Sequence, residues 1–229
     1  MNYTYNYPRP ALTADCVIFG YDGDTMKLLL VKRNETPFRG KWSLPGGFVG
    51  ENEDAETAAK RVLFEKTGLE RNFIEQLYTF SQPDRDPRGW VVSTAYFALI
   101  NPKKILLEAG GNTDAVSWHA WNKIPPLAFD HKHILQTAIT RLKGKISYQP
   151  IGFELLDNYF SLRQLQSLYE TILETELDKR NFRKKILKTN LLEEMKNQVK
   201  KSKNDPTLYR FDKKQYEALE QTGFQFSIV

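Results

Sequence analysis

The hydrophobic pattern changes period along the chain and marks out its elements. "DCVIFGYDGDTMKLLLVKRN" is two apolar runs around Asp22-Gly23, the signature of a β-hairpin. "KWSLPGGFVGENED" follows as a turn-rich loop. Ala55, Ala58, Ala59, Val62 and Leu63 then recur at i, i+3, i+4, i+7 and i+8, which predicts a helix over 55–67. Strands are expected at 73–80 and 90–100, separated by "SQPDRDPRG", and again at "AVSWHAW". "DHKHILQTAITRL" reads as a helix with Asp130 as its N-cap. Strands interleaved with helices indicate an α/β architecture, an α/β/α sandwich.

The character shifts at "KGKISYQPIGF", Lys143 to Phe153. All four Trp and all three His lie before it. Beyond it the chain reads as mostly helical, which divides it into domains at 1–147 and 148–229. Ser161 to Leu177 opens on a capping box, Ser161 with Gln164, and carries the stripe Leu165, Leu168, Tyr169, Ile172, Leu173. A short break precedes a second helix from Asp178, "DKRNFRKKILKTN". Two extended runs flank Asn204-Asp205-Pro206, and "KKQYEALEQTG" closes as a helix with Gly223 as its stop.

Charge sharpens the second half. The 229-residue chain is 41% hydrophobic and 27% charged with a net charge of +5, an ordinary globular composition. Between Lys179 and Lys203, ten Lys or Arg and two Glu give a local net of +8. On the second helix Phe182 and Ile186 sit one turn apart, and Arg180, Arg183, Lys184 and Lys188 fall away from them. Asn181 lies near the helix start, where recognition helices place base-reading residues. Charge runs are often only a solvated face. Here the helix spacing, the amphipathic placement of charge and a basic hairpin coincide. The order is that of a winged helix-turn-helix, with Lys179, Arg180, Asn181, Arg183, Lys184, Lys188 and the wing lysines Lys200, Lys201 and Lys203 facing double-stranded DNA. The absence of His and Cys beyond residue 143 excludes a zinc finger.

The remaining composition excludes more than it assigns. Cys16, the single cysteine, rules out an intramolecular disulfide and reads as a buried strand thiol. No apolar run approaches the ~20 residues of a membrane span, and the N-terminus lacks the order of a signal peptide. A cytoplasmic protein without membrane association is expected.

"GGFVGENEDAETAAKRVLFEKTGL" resembles the Nudix box: Gly47, Glu53, Arg61, Leu63, Glu65, Gly68 and Leu69 occupy their slots at the family's spacing. The likeness runs over roughly residues 10–145. In active members the box carboxylates hold Mg²⁺ against a diphosphate. Two of those slots are Val62 and Lys66 here, so the resemblance implies no catalytic residue and no metal or other cofactor. The enzymatic alternative is an ADP-ribose-type hydrolase that uses Mg²⁺ with Glu53 and Glu65, supported by Glu51 and Glu56. Lys66 is either a surface lysine or an ammonium placed where a metal's charge would be. The segment Tyr78 to Leu99 is similar to the part that ADP-ribose-type Nudix proteins carry after the box. It brings Asp84, Arg85, Asp86 and Arg88 into one loop; Arg suits phosphate and Asp suits ribose hydroxyls. Arg33, Trp42 and Lys66 complete the expected ligand site, and a salt-bridged surface loop is the alternative for any one of these.

A Nudix-like domain with a degraded box followed by a winged helix looks like the Nudix-related transcriptional regulators of bacteria. That resemblance implies a homodimer on a palindromic operator, with a small effector: ADP-ribose or a related NAD metabolite, or a pentose such as arabinose. A binding module whose basic tail meets RNA or protein is the third class.

Overall fold

The computed structural model describes residues 6–69, 74–195, 205–221 and 226–227. The chain divides into two compact units. One holds residues 1–19, 27–98 and 104–138; the other holds 20–26, 99–103 and 139–229.

Among the described residues of the first part, seven strands form one sheet. They are β1 (Ala11–Tyr21), β2 (Met26–Arg33), β3 (Trp42–Ser43), β4 (Gly46–Phe48), β5 (Glu75–Phe80), β6 (Val91–Leu99) and β7 (Thr113–Ala120). The spatial order is β3-β2-β1-β6-β5, with β4 paired to β1 and β7 to β2. Two helices accompany the sheet, α1 (Ala55–Thr67) and α2 (His131–Tyr148). β1 is buried continuously from Thr13 to Tyr21 because its alternate side chains are apolar on both faces. The expected hairpin forms as an Asx turn. Asp22 Oδ1 accepts from the backbone N–H of Asp24 and Thr25 at 3.1 and 2.8 Å, and Gly23 supplies φ 107°.

The box helix has the predicted limits. Asp54 caps it by accepting from Thr57 N at 2.7 Å, and Gly68 ends it in the left-handed region at φ 73°. Ala58, Ala59, Val62 and Leu63 form its buried face. The preceding glycine pair is a steric requirement. A Cβ on Gly46 would lie 1.9 Å from Asp15 Oδ1, and one on Gly47 would lie 2.9 Å from Val62 Cγ2. β4 can therefore run between β1 and α1 only without side chains at these two positions.

Asp15 is the one charged residue in the buried part of β1, and its partners fix the floor of the unit. The Arg85 guanidinium, with its side chain 3% exposed, reaches Asp15 Oδ2 at 3.5 Å. It also grips Asp130 with two bonds, Nε to Oδ2 at 2.9 Å and Nη2 to Oδ1 at 2.7 Å. Ser93 Oγ donates to Asp15 Oδ2 at 2.5 Å. Asp130 directly precedes α2, where its N-cap is expected, and its carbonyl accepts from Ile134 N at 3.2 Å while its carboxylate binds Arg85. α2 also runs six residues past the expected Leu142, because Ile146 is fully buried and the first breaker is Pro150.

In the second unit, β8 (Phe160–Ser161), β9 (Leu192–Glu194) and β10 (Leu208–Phe211) pair in the order β8-β10-β9. Three helices accompany them: α3 (Leu162–Leu173), α4 (Lys179–Lys188) and α5 (Lys213–Gln221). The α3 capping box is present in both directions: Gln164 N donates to Ser161 Oγ, and Ser161 N donates to Gln164 Oε1. α3 stops four residues before the expected Leu177. Glu174 turns left-handed at φ 54°, and the chain is then held by α3 itself. Leu177 N donates to Glu170 Oε1 at 2.9 Å, and Gln166 Nε2 donates to Leu177 O at 2.8 Å. Leu165, Leu168, Tyr169 and Ile172 are buried, and the Tyr169 ring meets Phe182 of α4 edge-on at 5.6 Å. Phe153 stacks on Phe211 of β10 at 4.1 Å.

Arg85→Met leaves Asp15 and Asp130 without their buried counter-charge. It is expected to destabilise the protein by about 3–5 kcal/mol, read as a lowered urea midpoint with unchanged slope.

Candidate functional site

A cleft of about 260 Å³ opens in the first unit over the Arg85 cluster. β1 contributes Thr13 and Asp15, β2 contributes Val31 and Arg33, and β4 contributes Gly46, Gly47 and Phe48. α1 adds Arg61, Val62, Glu65 and Lys66, and the β5–β6 loop adds Arg85, Asp86 and Arg88. Phe129 and His131 join it at the start of α2, and Glu35 and Asn112 also line it. Leu44 N donates to His131 Nδ1 at 2.9 Å, so the neutral ring carries its proton on Nε2, which lies 3.6 Å from Asp15 Oδ1. Burial pushes the His131 pKa down and outweighs the pull of Asp15.

The box helix holds its carboxylates away from metal duty. Glu53 is gripped by Arg61 through both oxygens, with Nε to Oε2 at 2.9 Å, and it accepts from Gly50 N at 2.8 Å. These bonds hold its pKa down to about 2. Arg61 also donates to Phe48 O and pairs with Glu65 at 3.1 Å. Glu56 pairs with Lys60 one turn on, and Glu51 is exposed. Val62 is 1% exposed and packs on Gly47. Among the described residues, no three His, Cys, Asp or Glu side chains are grouped to hold a metal ion. The residues at this helix do not fit the divalent metal of the unbroken box.

Cations and aromatic rings shape the cleft instead. Arg88 pairs with Asp86 at 2.6 Å, which raises its pKa. Its guanidinium lies over Phe48 at 4.7 Å and Phe129 at 5.2 Å. Arg33 lies over the same Phe129 ring at 4.9 Å. Phe129 takes φ 53°, and Phe38 meets its ring edge-on at 4.9 Å. Burial, and then Arg33, press the half-buried Lys66 ammonium toward a lower pKa. The cleft thus collects Arg33, Lys66, Arg85, Asp86 and Arg88 from the sequence-based set. Asp84 is exposed on the loop outside the lining, and the Trp42 ring packs against His119 at 4.5 Å, also outside it. Sequence reasoning missed Asp15, Phe48, Phe129, Asp130 and His131. A lone acid inside a buried apolar strand was the available signal for Asp15; nothing local announces the conformation of Phe129.

The second unit presents a different surface. Asp178 caps α4 by accepting from Asn181 N at 2.8 Å. Phe182 and Ile186 are buried, while Lys179, Arg180, Asn181, Arg183, Lys184 and Lys188 are exposed. None of these five cations is ion-paired among the described residues. β9 and β10 form the hairpin after α4, with Arg210 paired to Glu193 across it. Lys200, Lys201 and Lys203, and Gly223, lie outside the described residues.

Known proteins share this arrangement. Residues 9–138 match the NUDIX domain family and residues 152–211 match the NrtR DNA-binding winged helix domain. An ADPR-responsive transcriptional repressor, NtrR, from Acinetobacter baylyi is 36% identical over 216 residues, 93% of this chain and 86% of its own length. The crystal structure of Shewanella oneidensis NrtR with a 27mer DNA superposes with a TM-score of 0.80 at 32% identity, covering 94% of this chain and 97% of that one. The NUDIX domain of the same protein with ADP-ribose gives a TM-score of 0.57 at 37% identity, covering 62% of this chain and 94% of that one. The chain belongs to the NtrR/NrtR family of transcriptional regulators, in which a NUDIX domain is joined to a winged-helix DNA-binding domain.

Proposed function

We propose that this regulator binds operator DNA through α4 and its wing, and that ADP-ribose in the NUDIX-domain cleft changes its affinity for that DNA. The observation that carries the DNA half is the exposed face of α4, with five cations that no carboxylate neutralises among the described residues. Such a face, behind a capped helix start that presents Asn181, suits major-groove entry with phosphate contacts on either side. The effector half is supported by the cationic cleft and by the ADP-ribose bound in the NUDIX domain of the Shewanella oneidensis relative. Arginine with aromatic rings suits a diphosphate joined to a base and a sugar. An arabinose-type pentose carries no charge for Arg33 and Lys66 to meet.

The sensing domain is taken as residues 1–147 and the DNA-binding domain as 148–229. The working form is a cytoplasmic homodimer on a palindromic operator whose half-sites lie about one DNA turn, ~34–36 Å, apart. No helix among the described residues is long and apolar enough to cross a membrane.

Two outcomes are expected. Arg183→Ala with Lys184→Ala cripples binding to the gene's own upstream DNA and lowers the salt slope by about 2, or ~0.9 per lost phosphate contact. ADP-ribose binding stays intact in that variant; loss of both activities would mean misfolding or a wrong boundary. Incubation with ADP-ribose and Mg²⁺ or Mn²⁺ gives no AMP or ribose 5-phosphate by chromatography. Robust turnover abolished by Glu65→Gln would replace the regulator reading of the cleft with a hydrolase.

A further inference from the structure

The charges lining the cleft are not all ion-paired within it. Five cationic side chains line it: Arg33, Arg61, Lys66, Arg85 and Arg88. Three are neutralised from within, Arg85 by Asp15 and Asp130, Arg88 by Asp86, and Arg61 by Glu53 and Glu65. Arg33 donates to the backbone carbonyls of Pro37 and Glu35. Lys66 has no carboxylate within ion-pair distance among the described residues. Arg33 and Lys66 therefore stand half-buried with no ion pair among the described residues, and Glu35 and Asp15 of the same lining attract both from beyond ion-pair distance. Like charges held in a partly dry cleft repel strongly, and an anion between them removes that repulsion. A second observation points the same way. Thr13, 5% exposed, lines this cleft, and its buried hydroxyl has no hydrogen-bond partner among the described residues. Buried hydroxyls are normally satisfied, and a phosphate oxygen is a suitable acceptor.

Position 66 gives this anion site its meaning. Val62 and Lys66 lie four apart on one helical face and occupy two carboxylate slots of the box. Val62 fills its slot with apolar packing on Gly47. Lys66 fills the other with a positive charge. We infer that Lys66, together with Arg33, supplies against a ligand's diphosphate the charge that a divalent metal supplies in the unbroken box, so that this cleft binds its ligand without metal. The inference rests on the reading of the cleft as an ADP-ribose site and names the residue that replaces the metal there. An ammonium neutralises phosphate oxygens as a point charge. It has no open coordination position on which to lower the pKa of a water, so the diphosphate is held and not cut.

The test is calorimetric, on the full-length protein, with ADP-ribose and inorganic pyrophosphate as probes, each in EDTA and in Mg²⁺. Wild-type affinity for ADP-ribose is expected to be the same in both buffers. Lys66→Met is expected to weaken it about ten- to a hundredfold, while Lys66→Arg retains most of it. Lys66→Glu, which restores the box carboxylate, is expected to bind poorly in EDTA and to recover part of the loss in Mg²⁺. Melting temperatures of the three variants verify that each is folded. Wild-type binding that requires Mg²⁺, or Lys66→Met binding like wild type, overturns the inference while leaving ADP-ribose as the ligand. Pyrophosphate bound in a Lys66-dependent way without ADP-ribose binding supports the anion site and removes the ligand assignment. Binding of neither probe overturns both.

Discussion

One buried guanidinium organises the cleft. Arg85 comes from the β5–β6 loop, Asp15 from β1 and Asp130 from the residue before α2, and they are 70 and 45 positions apart from it in sequence. A charge in that position is costly to desolvate, and the geometry must answer it closely. The bidentate grip on Asp130, the Ser93 hydroxyl on Asp15 and the His131 ring beside it do so. Gly46 is needed because Asp15 leaves no space for a side chain above it. The cleft is consequently preformed by protein–protein bonds alone.

This explains why the box helix keeps its spacing after losing its metal ligands. Gly47 admits Val62, Arg61 ties Glu53 and the carbonyl of Phe48 to the helix, and Gly68 ends it. Those positions carry shape. Positions 62 and 66 carry chemistry in the unbroken box, and the fold tolerates an apolar side chain at one and a cation at the other. A helix that presents Lys66 near Arg33 is suited to hold a diphosphate. Across the chain, α4 repeats the logic: Phe182 meets Tyr169 of α3 and Ile186 is buried, while Lys179, Arg180, Arg183, Lys184 and Lys188 carry no ion pair among the described residues.

Much of this was legible in the sequence because it is local. The limits of α1, the capping box of α3 and the hairpin at Asp22-Gly23 each depend on residues close to one another in sequence. The amphipathic split of α4 needed only its period. The misses are non-local. Asp130 stands before α2 as expected, but the Arg85 that binds its carboxylate lies 45 residues away. Trp42 looked free to stack on a base, but the strand pairing that brings up His119 occupies its ring. The end of α3 depended on Gln166 and Glu170 capturing Leu177, which no propensity forecasts.

The central claim is that one chain couples an effector cleft to a DNA-reading helix, and coupling of this kind is reciprocal by thermodynamic necessity. The direct measurement is a closed cycle: operator affinity with and without saturating ADP-ribose, and ADP-ribose affinity with and without saturating operator. Both affinities are expected to change by the same factor, on the order of 5- to 150-fold. Operator and ADP-ribose that bind with affinities indifferent to one another would contradict it.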